Sequence, residues 1–306
     1  MEREKRNVIA LGFFDGIHRG HQALLKTAVE RAEQLGMEPA VFTFDRSPKE
    51  FVSGVPVPLI TSAEERCNVV HRLFPIQNVH VIVVPFDEEM MTMPWVDFVL
   101  MLAQKYHAGW LVAGHDFRFG YKNAGTPALL CKKAAQLGMG CDIIPAVTLD
   151  GVTVSSTHIR SLLLQGEMEQ ASYFLGYDYT MTGKVLHGKG LGRKIGAPTL
   201  NLVPTEHQLI PAYGVYATRV SVNGRTYPAV TNVGVRPTVD TAGGVTVESH
   251  LLDINAQLYG SECRVEFLKL MRRETKFDNL DALQAQIAKD IADVKAYFEH
   301  RETAAK

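Results

Sequence analysis

Asn7-Val-Ile-Ala-Leu-Gly-Phe-Phe-Asp-Gly-Ile-His-Arg-Gly-His21 is the stretch on which the fold of this 306-residue chain is read. Asn7–Phe14 is an apolar run of strand character. It passes through glycines into a helical pattern over Gly20–Leu35, with Leu24, Leu25, Ala28, Val29, Ala32 and Leu35 on a 3.6-residue period and Gly36 just past the end. A buried strand that turns directly into a helix opens an α/β unit, and the rhythm continues downstream.

Pro39–Phe44 reads as a second strand, and Ser62-Ala-Glu-Glu65 as a capping box opening a helix to about Phe74. Val79–Val84 is a third strand. Pro94 suits the first turn of a helix to Tyr106. Trp110–Ala113 is a strand, Thr126-Pro127 starts a helix that Gly138 ends, and Cys141–Val147 is again a strand. Alternation of this kind predicts a doubly wound, mostly parallel sheet with helices on both faces. After Tyr177 the pattern changes. Met181–Leu186, Val215–Val222, Arg225–Val233, Thr246–Leu252 and Arg264–Leu270 are short β-rich runs separated by turns such as Asn223-Gly224. They predict a small, closed or nearly closed barrel. A last helix, about Asn279 to His300, carries Leu280, Leu283, Ile287, Ile291, Val294 and Phe298 as a stripe, and Arg301–Lys306 is expected to fray. The division expected is 1–177 and 178–306.

Composition narrows the partners. A hydrophobic fraction of 46% and a charged fraction of 21% describe globular material with enough apolar surface for two cores. The net charge of −1 provides no global basic field for nucleic acid. No apolar run approaches a membrane span, and the charged start MEREKR does not continue as a signal peptide, so a cytoplasmic protein is expected. Cys67, Cys131, Cys141 and Cys263 lack C-x-x-C spacing and are expected as separate thiols in a reducing compartment, with no zinc site.

The chemistry-bearing residues cluster at strand ends. In an open α/β sheet ligands bind beyond the carboxyl ends of the strands, where Gly12, Phe13, Asp15, Gly20 and the two imidazoles of His18 and His21 fall. Glycines admit backbone amides, and a helix N-terminus suits phosphate. The H-x-G-H spacing after a strand and before a helix marks a nucleotidyltransferase superfamily and leaves the acceptor open. Gly114-His-Asp-Phe-Arg-Phe-Gly120 follows another strand. It reads either as an ordinary exit loop or as Asp116, Phe117 and Arg118 meeting a nucleotide or a flat ring. Ser155, Ser156, Thr157 and Arg160 read either as a simple helix cap or as a second phosphate clamp.

In the second half, His187-Gly-Lys-Gly-Leu-Gly-Arg-Lys-Ile-Gly196 is glycine-rich and cationic. It is neither a G-x-G-x-x-G fingerprint, since Arg193 takes the third glycine's place, nor a P-loop. It reads as a basic flap over phosphates (Gly188, Lys189, Gly190, Arg193, Gly196) or as an ordinary barrel loop. Thr199 and Asn201 share one strand face and offer hard oxygens to Mg²⁺. Glu248 is either a solvated strand carboxylate or a general base for an attacking hydroxyl.

In order and number these segments resemble the bacterial bifunctional riboflavin kinase/FAD synthetases over nearly the whole chain. The resemblance also rests on Pro211-Ala-Tyr-Gly-Val-Tyr216, Asn232-Val-Gly-Val-Arg-Pro-Thr238, Leu258-Tyr-Gly260 and Arg272-Arg-Glu-Thr-Lys-Phe277. It implies a Rossmann-like nucleotidyltransferase domain followed by a riboflavin-kinase-type barrel with a C-terminal helix. It implies ATP-dependent phosphorylation of riboflavin to FMN in the barrel, and adenylylation of FMN to FAD with release of pyrophosphate in the first domain, both with Mg²⁺. The substrates would be riboflavin, FMN and ATP, without nucleic acid or membrane partners. Thr199 and Asn201 match the family's metal and nucleotide ligands, Glu248 its base, His18 and His21 its adenylyl-transfer histidines, and Asn232, Arg236 and Arg272, with Phe117 and Arg118, its flavin contacts. The family's usual Pro-His-Pro after the second strand is Arg46-Ser47-Pro48 here, and its usual Asn after the first glycine is Phe13. Two other readings stay open: a riboflavin kinase with a weakened adenylyltransferase domain, and a non-catalytic flavin-binding regulator.

Overall fold

The computed structural model describes residues 6–186, 199–205, 207–235, 244–252 and 260–304. The chain divides into two compact units, Met1–Ser156 and Thr157–Lys306.

The first unit alternates β1 (Asn7–Leu11), α1 (Arg19–Leu35), β2 (Glu38–Phe44), α2 (Pro48–Ser53), α3 (Ala63–Leu73), β3 (His80–Val84), α4 (Glu88–Thr92), α5 (Trp95–Gln104), β4 (Ala108–Gly114), α6 (Pro127–Gln136) and β5 (Gly140–Ile144). Its five strands run in the order β3-β2-β1-β4-β5, every neighbouring pair parallel. Val8, Ile9, Ala10 and Leu11 are all buried because β1 is the central strand, covered on both faces. The chain steps outward from β1 through β2 to β3 on one side, then crosses back to β4 on the other side of β1, so the crevice beyond β1 and β4 is the switch point of the sheet. The expected helix starts hold: Ser62 accepts from the Glu65 amide and Thr126 from the Leu129 amide. One expectation is corrected. Cys131 on α6 and Cys141 on β5 are joined as a disulfide, while Cys67 and Cys263 are free. The short return through Gly138 (φ 69°) lays β5 back beside α6, a proximity that a spacing of ten residues does not reveal. A short hairpin, β6 (Thr148–Leu149) and β7 (Val152–Thr153), precedes the end of this unit.

The second unit begins with α7 (Ser156–Gln165), apart from its first residue, and α8 (Met168–Leu175). Then come β8 (Tyr179–Leu186), β9 (Leu200–Pro204), β10 (Gly214–Val222), β11 (Arg225–Val235), β12 (Val245–Leu251) and β13 (Glu262–Arg273). These six strands close into an antiparallel barrel in the order β10-β11-β12-β9-β8-β13. Inside it, buried Thr218, Thr231 and Ser249 hydroxyls satisfy one another at 2.7 Å each. The last helix (Leu280–Ala304) lays Ile291, Val294 and Phe298 on the outer barrel face of Val215, Ala217 and Val230. It runs to Ala304, past the expected end at His300.

Barrel closure leaves no room at Gly183 on β8, where a Cβ would lie 2.1 Å from the Val203 carbonyl oxygen of β9. Gly183→Ala must push the two strands apart. A loss of about 1–3 kcal/mol in denaturant unfolding of the full chain is expected, typical of overpacking; unchanged stability would show that β8 and β9 can separate freely.

Candidate active sites

In the first unit the turn after β1 is strained. Phe14 (φ 57°) and Ile17 (φ 37°) are buried non-glycine residues in the left-handed region, on either side of Gly16 (φ 85°). Each such residue costs about 1–3 kcal/mol and persists only where its surroundings hold it. The surroundings here do. Thr61 supplies its hydroxyl to the Gly16 amide at 2.9 Å and its own amide to the Asp15 carboxylate at 3.0 Å. The Ser156 hydroxyl donates to the Asp15 carbonyl at 2.8 Å, and the Thr43 hydroxyl to the Phe13 carbonyl at 2.8 Å.

The turn delivers His18 and His21 to the N-terminus of α1. His18 caps that helix, its Nδ1 accepting from the His21 amide at 3.3 Å. The two imidazoles stack, with centroids 3.6 Å apart and planes 14° from parallel, and Phe14 meets His21 edge-on. Gly20 leaves the stack room, because a Cβ there would lie 3.1 Å from the His18 ring and press on it. Burial, then the neighbouring His18 and Arg66, hold the His21 pKa well below the ordinary imidazole value of 6.5. His21 is therefore a neutral imidazole near pH 7, a hydrogen-bond donor beside a positive helix end.

The loop after β4 carries the second predicted group. Asp116 and Arg118 are exposed, and Phe117 stacks on Phe119 at 5.3 Å. Ser47 caps α2, accepting from the Glu50 amide, and Arg46 lies 3.6 Å from the Asp45 carboxylate. Of the proposed phosphate clamp, Ser156 touches the turn, whereas Thr157 and Arg160 belong to α7 in the second unit.

In the second unit, strand register assembles the predicted residues. Glu248 on β12 stands directly opposite Asn201 on β9 and Asn232 on β11, a row across three adjacent strands. Thr199, two residues from Asn201, donates its hydroxyl to the Glu248 carboxylate at 3.5 Å. Thr199, Asn232, Glu248 and Arg272 line a cavity of about 310 Å³, walled by Leu283, Ile287 and Ile291 of the last helix. Arg272 is held bidentately by Asp290 of that helix, at 2.8 and 2.7 Å, and Gln286 donates to the same carboxylate. Sequence reasoning missed Asp290 and His250, both in the cavity wall. Asp290 was legible as the one carboxylate inside the helix's apolar stripe. Gly188, Lys189, Gly190, Arg193, Gly196 and Arg236 lie outside the described residues.

Two family profiles match the chain: one described as FAD synthetase over residues 1–158, the other as riboflavin kinase over residues 175–298. A bifunctional riboflavin kinase/FMN adenylyltransferase from Listeria monocytogenes is 36% identical over 95% of this chain and 92% of the relative. Another, from Bacillus subtilis, is 34% identical over 97% and 94%. The chain belongs to the bifunctional riboflavin kinase/FMN adenylyltransferase family. A crystal structure described as a macrolide-efflux protein from Streptococcus pneumoniae matches this family member with a TM-score of 0.84 and 30% identity, over 96% of this chain and 95% of that one. Among the described residues no helix is long and apolar enough to cross a membrane.

The depressed His21 pKa has a stability consequence of fixed sign. Above pH 6.5 the imidazole is neutral in both folded and unfolded chains. As pH falls below 6.5 the unfolded chain takes up a proton that the folded one refuses, so the folded state loses stability toward acid. Denaturant unfolding at pH 7.5 and 5.5 should show a smaller acid loss in His21→Gln than in the parent chain. Equal losses would show that His21 protonates freely in the fold.

Proposed function

We propose that the first unit transfers AMP from ATP to FMN through the turn carrying His18 and His21, and that the barrel phosphorylates riboflavin at the row centred on Glu248. One observation carries the reading: each family match falls on a compact unit that holds its own cluster of chemistry-bearing side chains.

In the first unit, adenylyl transfer asks for an in-line acceptor and for charge stabilisation on the α-phosphate. The α1 N-terminus and the stacked imidazoles supply hydrogen-bond donors and a positive end for that charge. Gly12, Phe13, Asp15 and Gly20 shape the turn, and Asp116, Phe117 and Arg118 face the nucleotide or the flavin from the β4 loop. Ser155 and Ser156, the members of the expected clamp that belong to this unit, are assigned to the phosphates.

In the barrel, Glu248 accepts the proton of the ribityl hydroxyl as that oxygen attacks the γ-phosphate of ATP. Arg272, oriented by Asp290, and Asn232 hold the flavin in the cavity. Thr199 and Asn201 fit Mg²⁺ by donor chemistry: the Thr199 hydroxyl lies 3.5 Å from the Glu248 carboxylate, and Asn201, with an amide oxygen to offer, stands opposite Glu248 in the strand register. When bound there, the ion would neutralise phosphate charge. The functional boundary is placed at 177/178, beside the start of the kinase match at 175, and the reading implies a cytoplasmic enzyme.

Incubation of the purified chain with riboflavin, ATP and Mg²⁺, followed by flavin chromatography, should yield FMN and FAD. FMN alone would favour the kinase-only reading, and unchanged riboflavin would remove both. Glu248→Ala is expected to cut FMN formation by about 10²-fold or more and to spare FMN-to-FAD conversion, with His21→Ala doing the reverse. Loss of both activities in either folded variant contradicts one site per unit.

A further inference from the structure

We propose that Arg66 is a positioning residue for adenylyl transfer: its buried guanidinium pins the strained turn carrying His18 and His21 to the end of β2 and sets a fixed positive charge beneath it. The assignment rests on the first-unit reading above.

Arg66 lies on α3, on the same face as buried Val69 and Val70, and is itself 1% exposed. Nη1 donates to the Phe13 carbonyl and to the Thr43 hydroxyl, both at 2.6 Å. Nη2 donates to the Phe44 carbonyl at 2.8 Å, and Nε to the Ser62 carbonyl at 3.4 Å. One side chain thus ties together the residue after β1's exit glycine, the last two residues of β2 and the cap of α3. The Phe13 ring lies 4.5 Å from the guanidinium, so this aromatic covers the charge. The pinned carbonyl is that of Phe13, directly before the left-handed Phe14. A backbone that is unfavourable by itself needs such a brace to hold one geometry.

A merely structural role would not call for a cation. Burying a guanidinium carries a large desolvation cost, and an apolar side chain of similar volume packs without it. Burial lowers the Arg66 pKa, opposed by the Asp15, Cys67 and Asp45 groups around it, and the guanidinium stays charged. The groups that bear on His21 are His18, from its own turn, and Arg66, from α3; both push its pKa down beyond the effect of burial. A permanent charge there favours phosphate at the strand ends and keeps His21 neutral.

The test uses the full chain and compares Arg66→Met, which removes the charge, with Arg66→Lys, which keeps it but lacks the fork. Three quantities are measured: kcat and KM for FMN-to-FAD conversion with Mg-ATP, riboflavin phosphorylation as a control for folding, and the NMR titration midpoint of His21. The His21 resonance is assigned by its loss in His21→Gln. Arg66→Met is expected to lower kcat about tenfold or more with a small change in KM. It should raise the His21 midpoint by about half a unit or more and leave riboflavin phosphorylation intact. Arg66→Lys should keep the parent midpoint and fall between the two in rate. A folded Arg66→Met chain with parental kcat, or with reduced kcat and an unmoved midpoint, overturns the proposal. If Arg66→Met loses both activities, Arg66→Lys decides: reduced kcat with the parent midpoint supports the assignment, and parental kcat overturns it. A parent chain that makes no FAD from FMN defeats the first-unit reading instead, while the two midpoints still test whether Arg66 sets the charge at His21.

Discussion

A left-handed backbone at Phe14 and Ile17 is the constraint on which the chemistry proposed for the first unit depends. A β-branched residue at φ 37° is held there only because its neighbours leave it no alternative. Thr43, Thr61, Arg66 and Ser156 each place a hydrogen bond on or beside the turn. The return on that strain is position: a chain leaving β1 this sharply brings His18 to the cap of α1 and His21 one turn in, with their rings stacked. An unstrained loop would let the two imidazoles wander, and transition-state stabilisation by hydrogen-bond donors tolerates little wandering.

The barrel solves its positioning problem differently. Closure fixes the register of β9, β12 and β11, and register alone places Asn201, Glu248 and Asn232 in one row. The row lies on the outer face, where the last helix covers part of it and makes a cavity rather than a flat surface. The Arg272–Asp290 pair sits at that cover. Asp290 is buried and would be costly without its partner, so the pair both fixes the guanidinium and helps set where the helix lies.

Much of this was legible in the sequence. The parallel sheet followed from apolar runs alternating with 3.6-period segments, and the barrel from β-rich runs joined by turns. His18, His21, Thr199, Asn201 and Glu248 stood out as candidates because their spacing repeats a known pattern, and the structure brings His18 against His21 and Thr199 against Glu248. Cys131 and Cys141 were not, because their pairing depends on how tightly β5 returns beside α6. Arg66 left one signal, a cation on the same helical face as Val69 and Val70. Period analysis treats such a residue as an imperfection in the stripe, yet a charge on a buried face is the residue whose partners should be sought. Its partners, the carbonyls at the ends of β1 and β2, are long-range and carry no local sequence mark. Phe13 and Ser47 each have a local job here: one ring covers Arg66, and one hydroxyl caps α2.

One complete site in each unit is the arrangement proposed for this chain. Complementation in solution tests it most directly: Glu248→Ala and His21→Ala chains are mixed and supplied with riboflavin, ATP and Mg²⁺. Neither variant alone should carry riboflavin to FAD at more than a small fraction of the parent rate. The mixture should do so, because FMN released by one variant is adenylylated by the other. A mixture that forms no FAD, or a single variant that completes both steps at the parent rate, would contradict it.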